Sequence, residues 1–131
     1  KLAQESGKGA FIHFPGLQQN VPHWLAAMDA FVLSSHREGL PMSVLEAMAC
    51  ELPVVSTAVG GLNELICSDE TGFLTEPGNE ASMTESMQRL VSNPELVQRV
   101  GRAGAEMVRR DYSVEKMRDA YFEVYRKYGR K

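Results

Sequence analysis

Arg37-Glu38-Gly39-Leu40-Pro41-Met42-Ser43-Val44-Leu45-Glu46-Ala47-Met48-Ala49 decides the reading of this chain, because it sets two carboxylates eight positions apart across a turn from strand to helix. Upstream, Ala30-Phe31-Val32-Leu33 is a short apolar run of strand type; downstream, Val44, Leu45, Ala47 and Met48 recur at helical spacing. Gly39-Leu40-Pro41 between them is therefore the turn. Glu38 leaves the end of a strand, and Glu46 falls in the first turn of a helix. In parallel α/β sheets, ligands settle in the crevice beyond the carboxyl ends of the strands, where helix N-termini offer free N–H groups to anions. The turn suits a phosphate, with hydroxyl-accepting carboxylates on either side.

Outward from this turn, short apolar runs alternate with helical patterns, which predicts βαβ units and a parallel sheet. The strand candidates are Ala10 to Phe14, Ala30 to Ser34, Pro53 to Ser56 and Gly72 to Leu74. Between the first two, Asn20 as N-cap and Pro22 in the first turn open a helix that carries Trp24, Leu25 and Met28 inward. The Glu46 helix ends near Glu51, and a helical turn covers Asn63 to Ile66. After the turn Glu76-Pro77-Gly78-Asn79, three helices follow, from about Glu80 to Val91, Pro94 to Arg110 and Val114 to Tyr128. Ser113 is placed to cap the last of them. Tyr121, Tyr125 and Tyr128 at helical spacing, with Phe122 beside them, read as core or as a docking face for an absent partner domain.

The chain has 131 residues, 44% of them apolar, enough for one domain with a core. Its net charge is −3 and its only basic cluster is the tail Arg126, Lys127, Arg130 and Lys131, which excludes nucleic acid as a natural partner and reads as a solvated helix end. Cys50 and Cys67 lack metal-ligand or redox spacing and read as reduced structural thiols, which suits the cytoplasm. No apolar run approaches the ~20 residues needed to span a bilayer, and no signal segment opens the chain. Because the sequence starts at Lys1, the protein's own beginning is expected upstream, and targeting stays open.

Glu38 through Glu46 resembles the Glu-x7-Glu signature of retaining GT-B glycosyltransferases, the glycosyl transferases group 1 family, in its Glu-Gly-Leu-Pro variant. Phe14-Pro15-Gly16, Asp29-Ala30-Phe31-Val32-Leu33-Ser34-Ser35, Glu46-Ala47-Met48-Ala49, Leu52-Pro53-Val54-Val55, Gly60-Gly61 with Glu64, and Thr71-Gly72-Phe73-Leu74 fall in the family's order and spacing. Each piece is weak alone; together, from roughly Ala10 to Tyr125, they are specific. The resemblance implies an α/β fold, a partial doubly wound, Rossmann-like parallel sheet forming the C-terminal half of a GT-B fold and followed by C-terminal helices. Residues 1–131 would be a nucleotide-sugar-binding domain truncated at its N-terminal side. Such sheets run 3-2-1-4-5-6, and the four strand candidates resemble the third to sixth. Ala10 to Phe14 should then not pair with Ala30 to Ser34, whereas Pro53 to Ser56 should, in parallel.

The resemblance also implies roles. Glu46 accepts from the ribose hydroxyls of the nucleotide, a vicinal diol meeting two carboxylate oxygens. The competing reading is a capping box, with Ser43 as cap and Glu46 folded back onto a backbone N–H. Glu38, otherwise an ordinary surface carboxylate, would be the catalytic residue: it orients the donor sugar by accepting from its ring hydroxyls and is not a nucleophile. Backbone N–H groups of Leu40, Met42 and Ser43 would receive the pyrophosphate; Pro41 has none to give, and Gly39 allows close approach. The Gly16-Leu17-Gln18 loop would border the nucleobase, and His36 and Arg37 the sugar. Gly60-Gly61, after the third strand, reads first as plain turn chemistry. No histidine has metal-ligand spacing, and the resemblance implies neither metal nor cofactor, the substrate being a UDP- or GDP-linked sugar.

The chain departs from the family pattern in two places. Glu51 stands where a helix-ending Gly is common. An Arg and a Lys that neutralise the pyrophosphate, and an N-terminal acceptor domain, would lie upstream. The expected partners are thus the nucleotide-sugar donor and that absent domain, through which alone the protein would meet a membrane. The parent protein would be a retaining hexosyltransferase and the isolated chain inactive. The rival readings are a sugar-nucleotide epimerase of the same architecture and a non-catalytic nucleotide-sugar-binding or scaffold module.

Overall fold

Pro53 to Thr57 is buried throughout, the pattern of a central parallel strand covered on both faces. In the computed structural model, which describes residues 1–129, this run forms β2 (Val54–Thr57). It is flanked in parallel by β1 (Phe31–Leu33) and β3 (Phe73–Thr75), in the order β1-β2-β3. Phe31 faces Val54 across one ladder and Val55 faces Phe73 across the other, so the expected parallel pairing of the second and third candidate strands is present.

Alternation along β2 divides the core. Val54 packs with Leu25 of α2 (Val21–Ala26), with Val44, Leu45, Ala47 and Met48 of α3 (Met42–Ala49), and with Leu62 and Leu65 of α4 (Leu62–Leu65). Val55 packs on the opposite face with Phe73, Leu90 of α5 (Glu80–Ser92) and Val100 of α6 (Pro94–Asp111). Helices therefore cover both faces, as in a doubly wound sheet. Short polar residues start the later helices: Asn79 and Asn93 accept from Ser82 and Leu96 N–H at 3.0 Å, and Ser113 caps α7 (Val114–Tyr128) from Lys116 N–H at 3.3 Å.

Two expectations fail. Ala10 to Phe14 is not a strand: a 3-10 turn, Gly9–Phe11, is followed by unpaired chain, and Phe14 is 82% exposed. A strand needs a neighbour for its N–H and C=O groups, and among the described residues no hydrogen bond joins residues 1–19, the short helix α1 (Leu2–Glu5) included, to the rest. In α2, Leu25 alone is buried; Trp24, and Met28 just beyond the helix, are exposed, and the Asn20 side chain makes no cap bond. Of the two readings of the α7 aromatic row, core or docking face, core is excluded, since no residue of that helix is buried. Both cysteines are free and exposed, and a hydrogen bond and the charge of Glu70 push the Cys67 thiol up. Arg126 lies exposed beside Glu123 at 2.7 Å; Arg130 and Lys131 lie outside the described residues.

Two tight backbone approaches fix what surrounds the turn at Gly39. The C-terminus of α3 closes in a Schellman pattern, Leu52 N–H donating to the Ala47 carbonyl and Glu51 N–H to that of Met48, both near 3 Å. The left-handed position falls on Glu51, at φ 62°, and Gly101 of α6 sits so close that any Cβ there would overlap the Glu51 carbonyl. At the other end, Gly60 has φ 53°, and a Cβ on it would overlap the Glu38 carbonyl oxygen and come within 2.9 Å of the Gly39 oxygen. Gly61 N–H donates to that Gly39 oxygen at 2.8 Å.

Glu51→Gly should raise the urea midpoint. A left-handed non-glycine costs roughly 1–2 kcal/mol, a glycine's extra chain entropy takes back roughly 0.5–1, and the exposed Arg109 pair adds little. A net gain of roughly 0–1.5 kcal/mol is expected. An equal gain in Glu51→Ala would show that the side chain, not the backbone angle, was responsible. Gly60→Ala should cost at least about 2 kcal/mol, since it combines the left-handed penalty with a clash against backbone that cannot rotate away.

Candidate functional site

The loop from Ser34 to Pro41 leaves the carboxyl end of β1 and leads into α3. Its first anchor comes from β2, where the Thr57 hydroxyl donates to the Ser35 carbonyl at 2.6 Å. Ser35 in turn donates its hydroxyl to Oε1 of the half-buried Glu38, also at 2.6 Å, within the range of a charge-assisted O–H to carboxylate bond. The carboxylate is thus held at the strand-end crevice. Gly60 and Gly61 complete the support by bracing the Glu38 and Gly39 backbone from behind.

At the start of α3, Pro41 occupies the cap position in extended conformation, φ −72° and ψ 118°, and no side chain caps the helix. The capping box is therefore absent. Proline's fixed φ starts the helix at Met42, which moves Ser43 inside it and Glu46 out of the first turn into the second. Glu46 is exposed and makes no hydrogen bond or ion pair among the described residues. The N–H groups of Leu40, Met42 and Ser43 have no protein acceptor among them either, whereas Val44 N–H is satisfied by the Pro41 carbonyl at 3.1 Å. Free donors at a helix N-terminus are an anion site by construction.

The side chains of Leu40 and Met42 turn away from those donors. With Leu45, Tyr112, Val114 and Met117 they line an apolar cavity of about 570 Å³ between α3 and the start of α7, so what they offer the turn is backbone. A Cβ on Gly39 would meet nothing within 4 Å, which leaves open room in front of the turn. His36 lines a separate polar hollow of about 320 Å³ beyond the strand ends, with Ser34, Thr57, Glu76 and Asn79. Gly16 is exposed, at φ 68°, in a segment that among the described residues makes no hydrogen bond to the rest. Glu38, Gly39, Leu40, Met42, Ser43 and Glu46 do lie on one continuous loop and helix start.

The structural support for this loop was only partly visible in sequence. Gly60-Gly61 reads as a turn until its contact with Glu38 is seen, and Ser35 and Thr57 carry no motif of their own. The available signal was a hydroxyl residue at the carboxyl end of every strand, Ser35, Ser56 with Thr57, and Thr75.

Comparison with known proteins places the chain. The sequence profile described as Glycosyl transferases group 1 matches residues 1–107. N-acetyl-alpha-D-glucosaminyl L-malate synthase of Bacillus anthracis is 35% identical over 112 residues, which cover 86% of this chain and 29% of that protein. The C-terminal domain of a glycosyl transferase group 1 family protein (LpcC) from Francisella tularensis superposes with TM-score 0.77 at 29% identity, covering 86% of this chain and 60% of that one. HepE of Anabaena, solved in complex with UDP, superposes with TM-score 0.92 at 22% identity over 95% of this chain and 35% of its own. The chain spans about a third of the length of the curated relatives it matches. It is an α/β chain of GT-B type and belongs to the glycosyl transferases group 1 family.

Proposed function

We propose that residues 1–131 are the donor-binding part of a retaining glycosyltransferase that moves a hexose from a nucleoside diphosphate sugar to an acceptor hydroxyl. The observation that carries this reading is the open helix start at Met42, where three unpaired N–H groups lie between a held carboxylate, Glu38, and a free one, Glu46. In the reaction, negative charge grows on the diphosphate as the glycosidic bond breaks. Leu40, Met42 and Ser43 N–H groups are oriented in advance to receive it, so no reorganisation is needed at that moment. The Glu46 carboxylate, without a partner among the described residues, accepts from the ribose diol. Glu38 accepts from hydroxyls of the transferred sugar and fixes the anomeric carbon for attack.

The exposed apolar row of α7, Met117, Tyr121, Phe122 and Tyr125, offers a seat for an acceptor-binding domain, which completes the site. Without such a domain, residues 1–131 alone are expected to show no transfer. HepE, which shares the fold, was solved with UDP and with UDP-glucose, so uridine diphosphate sugars are the first donors to test and guanosine diphosphate sugars the second. The anomeric configuration of the product, read by proton NMR, tests retention directly.

In the full-length natural protein, Glu46→Gln should weaken nucleotide binding about 10- to 100-fold, the worth of a hydrogen bond to a charged group. The thermal midpoint should stay nearly constant, because the Glu46 carboxylate makes no hydrogen bond or ion pair among the described residues. Unchanged affinity measured by calorimetry would remove Glu46 from the site. Glu38→Ala should reduce turnover about 100-fold while leaving the affinity for free UDP or GDP near that of the parent. A matching loss of diphosphate affinity would mean that Glu38 serves the nucleotide and not the sugar.

A further inference from the structure

β1 stops pairing with β2 at Leu33, opposite Ser56, yet the loop that follows is still tied to β2 at Ser35. Hydroxyl groups do this where backbone ladders cannot. Thr75 of β3 donates its hydroxyl to the Ser56 carbonyl at 3.4 Å, Ser56 donates to the Leu33 carbonyl at 3.2 Å, and Thr57 donates to the Ser35 carbonyl at 2.6 Å. Ser35 then gives its single O–H to Glu38 Oε1. The row begins in the buried core, with Ser56, Thr57 and Thr75 all at 4% exposure or less, and ends at a carboxylate facing the crevice.

Residues that only filled a strand interior would be better as valine, which has the same shape as threonine and no hydroxyl to desolvate. Three buried hydroxyls at one level of the sheet therefore call for an account. Satisfying their own desolvation is part of it, and Thr75 with its long bond needs no more. Thr57 differs, because its acceptor lies beyond the end of β1, and the residue it fixes is the one that holds Glu38.

We propose that Ser35 and Thr57 are positioning residues: Thr57 pins the Ser35 backbone, and Ser35 locks Glu38 in one rotamer with Oε1 engaged and Oε2 turned to the donor sugar. This rests on the role proposed above for Glu38. Among the described residues Oε2 has no protein donor, so the second oxygen is left for a ligand hydroxyl. With the Gly61 N–H on the Gly39 carbonyl, the loop is held at the Ser35 carbonyl, the Glu38 carboxylate and the Gly39 carbonyl. A carboxylate freed from Ser35 would sample other rotamers, and misplacement of about 1 Å costs on the order of 100-fold in rate.

The test measures release of nucleoside diphosphate from UDP-glucose or GDP-glucose, whichever the unmodified full-length protein turns over. Ser35→Ala should lower kcat about 10- to 100-fold, with the affinity for free diphosphate and the thermal midpoint nearly unchanged. Ser35→Thr, which keeps the hydroxyl, should recover most of the loss. Thr57→Val should lower kcat in the same direction, and Thr57→Ser should not. In a Glu38→Ala background, Ser35→Ala should cost nothing further, because it acts only through that carboxylate. An equal cost in both backgrounds, or a loss that follows the thermal midpoint and is not rescued by threonine, would overturn the proposal. If Glu38→Ala is inactive but Ser35→Ala is silent, the positioning role alone falls; if Glu38→Ala is fully active, the site reading falls with it.

Discussion

The structure around the turn depends on one steric constraint, the contact of the Gly60 backbone with the Glu38 carbonyl. β2 is buried on both faces, and its neighbours hold it as the fixed centre of the sheet. The loops that leave β1 and β2 at the same end must therefore pass each other over the strand ends. Only a residue without Cβ, with φ in the left-handed region, lets them touch, and the touch places the Gly39 carbonyl on the Gly61 N–H. Every site feature downstream inherits that placement, because Gly39 to Pro41 is too short to absorb an error before α3 begins.

The two ends of α3 are treated oppositely. At its C-terminus the chain closes the helix on itself, with the Glu51 and Leu52 N–H groups on its last carbonyls and Arg109 reaching the Ala49 carbonyl at 3.3 Å. At its N-terminus no side chain intervenes, and proline occupies the position where serine or aspartate normally caps. A cap at that point would be worth about 1 kcal/mol of stability and would occupy a donor. Forgoing it leaves the positive end of the helix dipole and its N–H groups facing the crevice. The same helix is thus anchored by one end and open at the other.

Much of this was legible in sequence because the signals were local. The three strands and α5 to α7 follow from apolar periodicity, from the turn that ends at Asn79 and from the cap at Ser113, whose bond reaches only three residues on. The failures share the opposite property. Ala10 to Phe14 has strand composition, but a strand exists only with a partner, and none lies beside it. Trp24 and Met28 sit at helical spacing with Leu25, but which of them is buried depends on what packs above. Ser43-Val44-Leu45-Glu46 satisfies the letter of a capping box, yet Pro41 two positions earlier already starts the helix. The hydroxyl of Thr57 acts on a carbonyl 22 positions away, and no window of sequence shows that.

The loop that carries Glu38 leaves β1, one of the two edge strands of the sheet. In doubly wound sheets the ligand crevice lies where the strand order reverses, beside the strand at which one half of the sheet meets the other. β1 pairs with β2 on one side alone, and Val32, at its middle, is 42% exposed. An unpaired edge of that kind is a liability in a folded protein and is normally covered. A strand laid against it would also bring its following loop to the carboxyl end of β1, across from Glu38 and the free N–H groups of the turn. Covering that edge and adding a wall to the crevice beside Glu38 would then be one structural event.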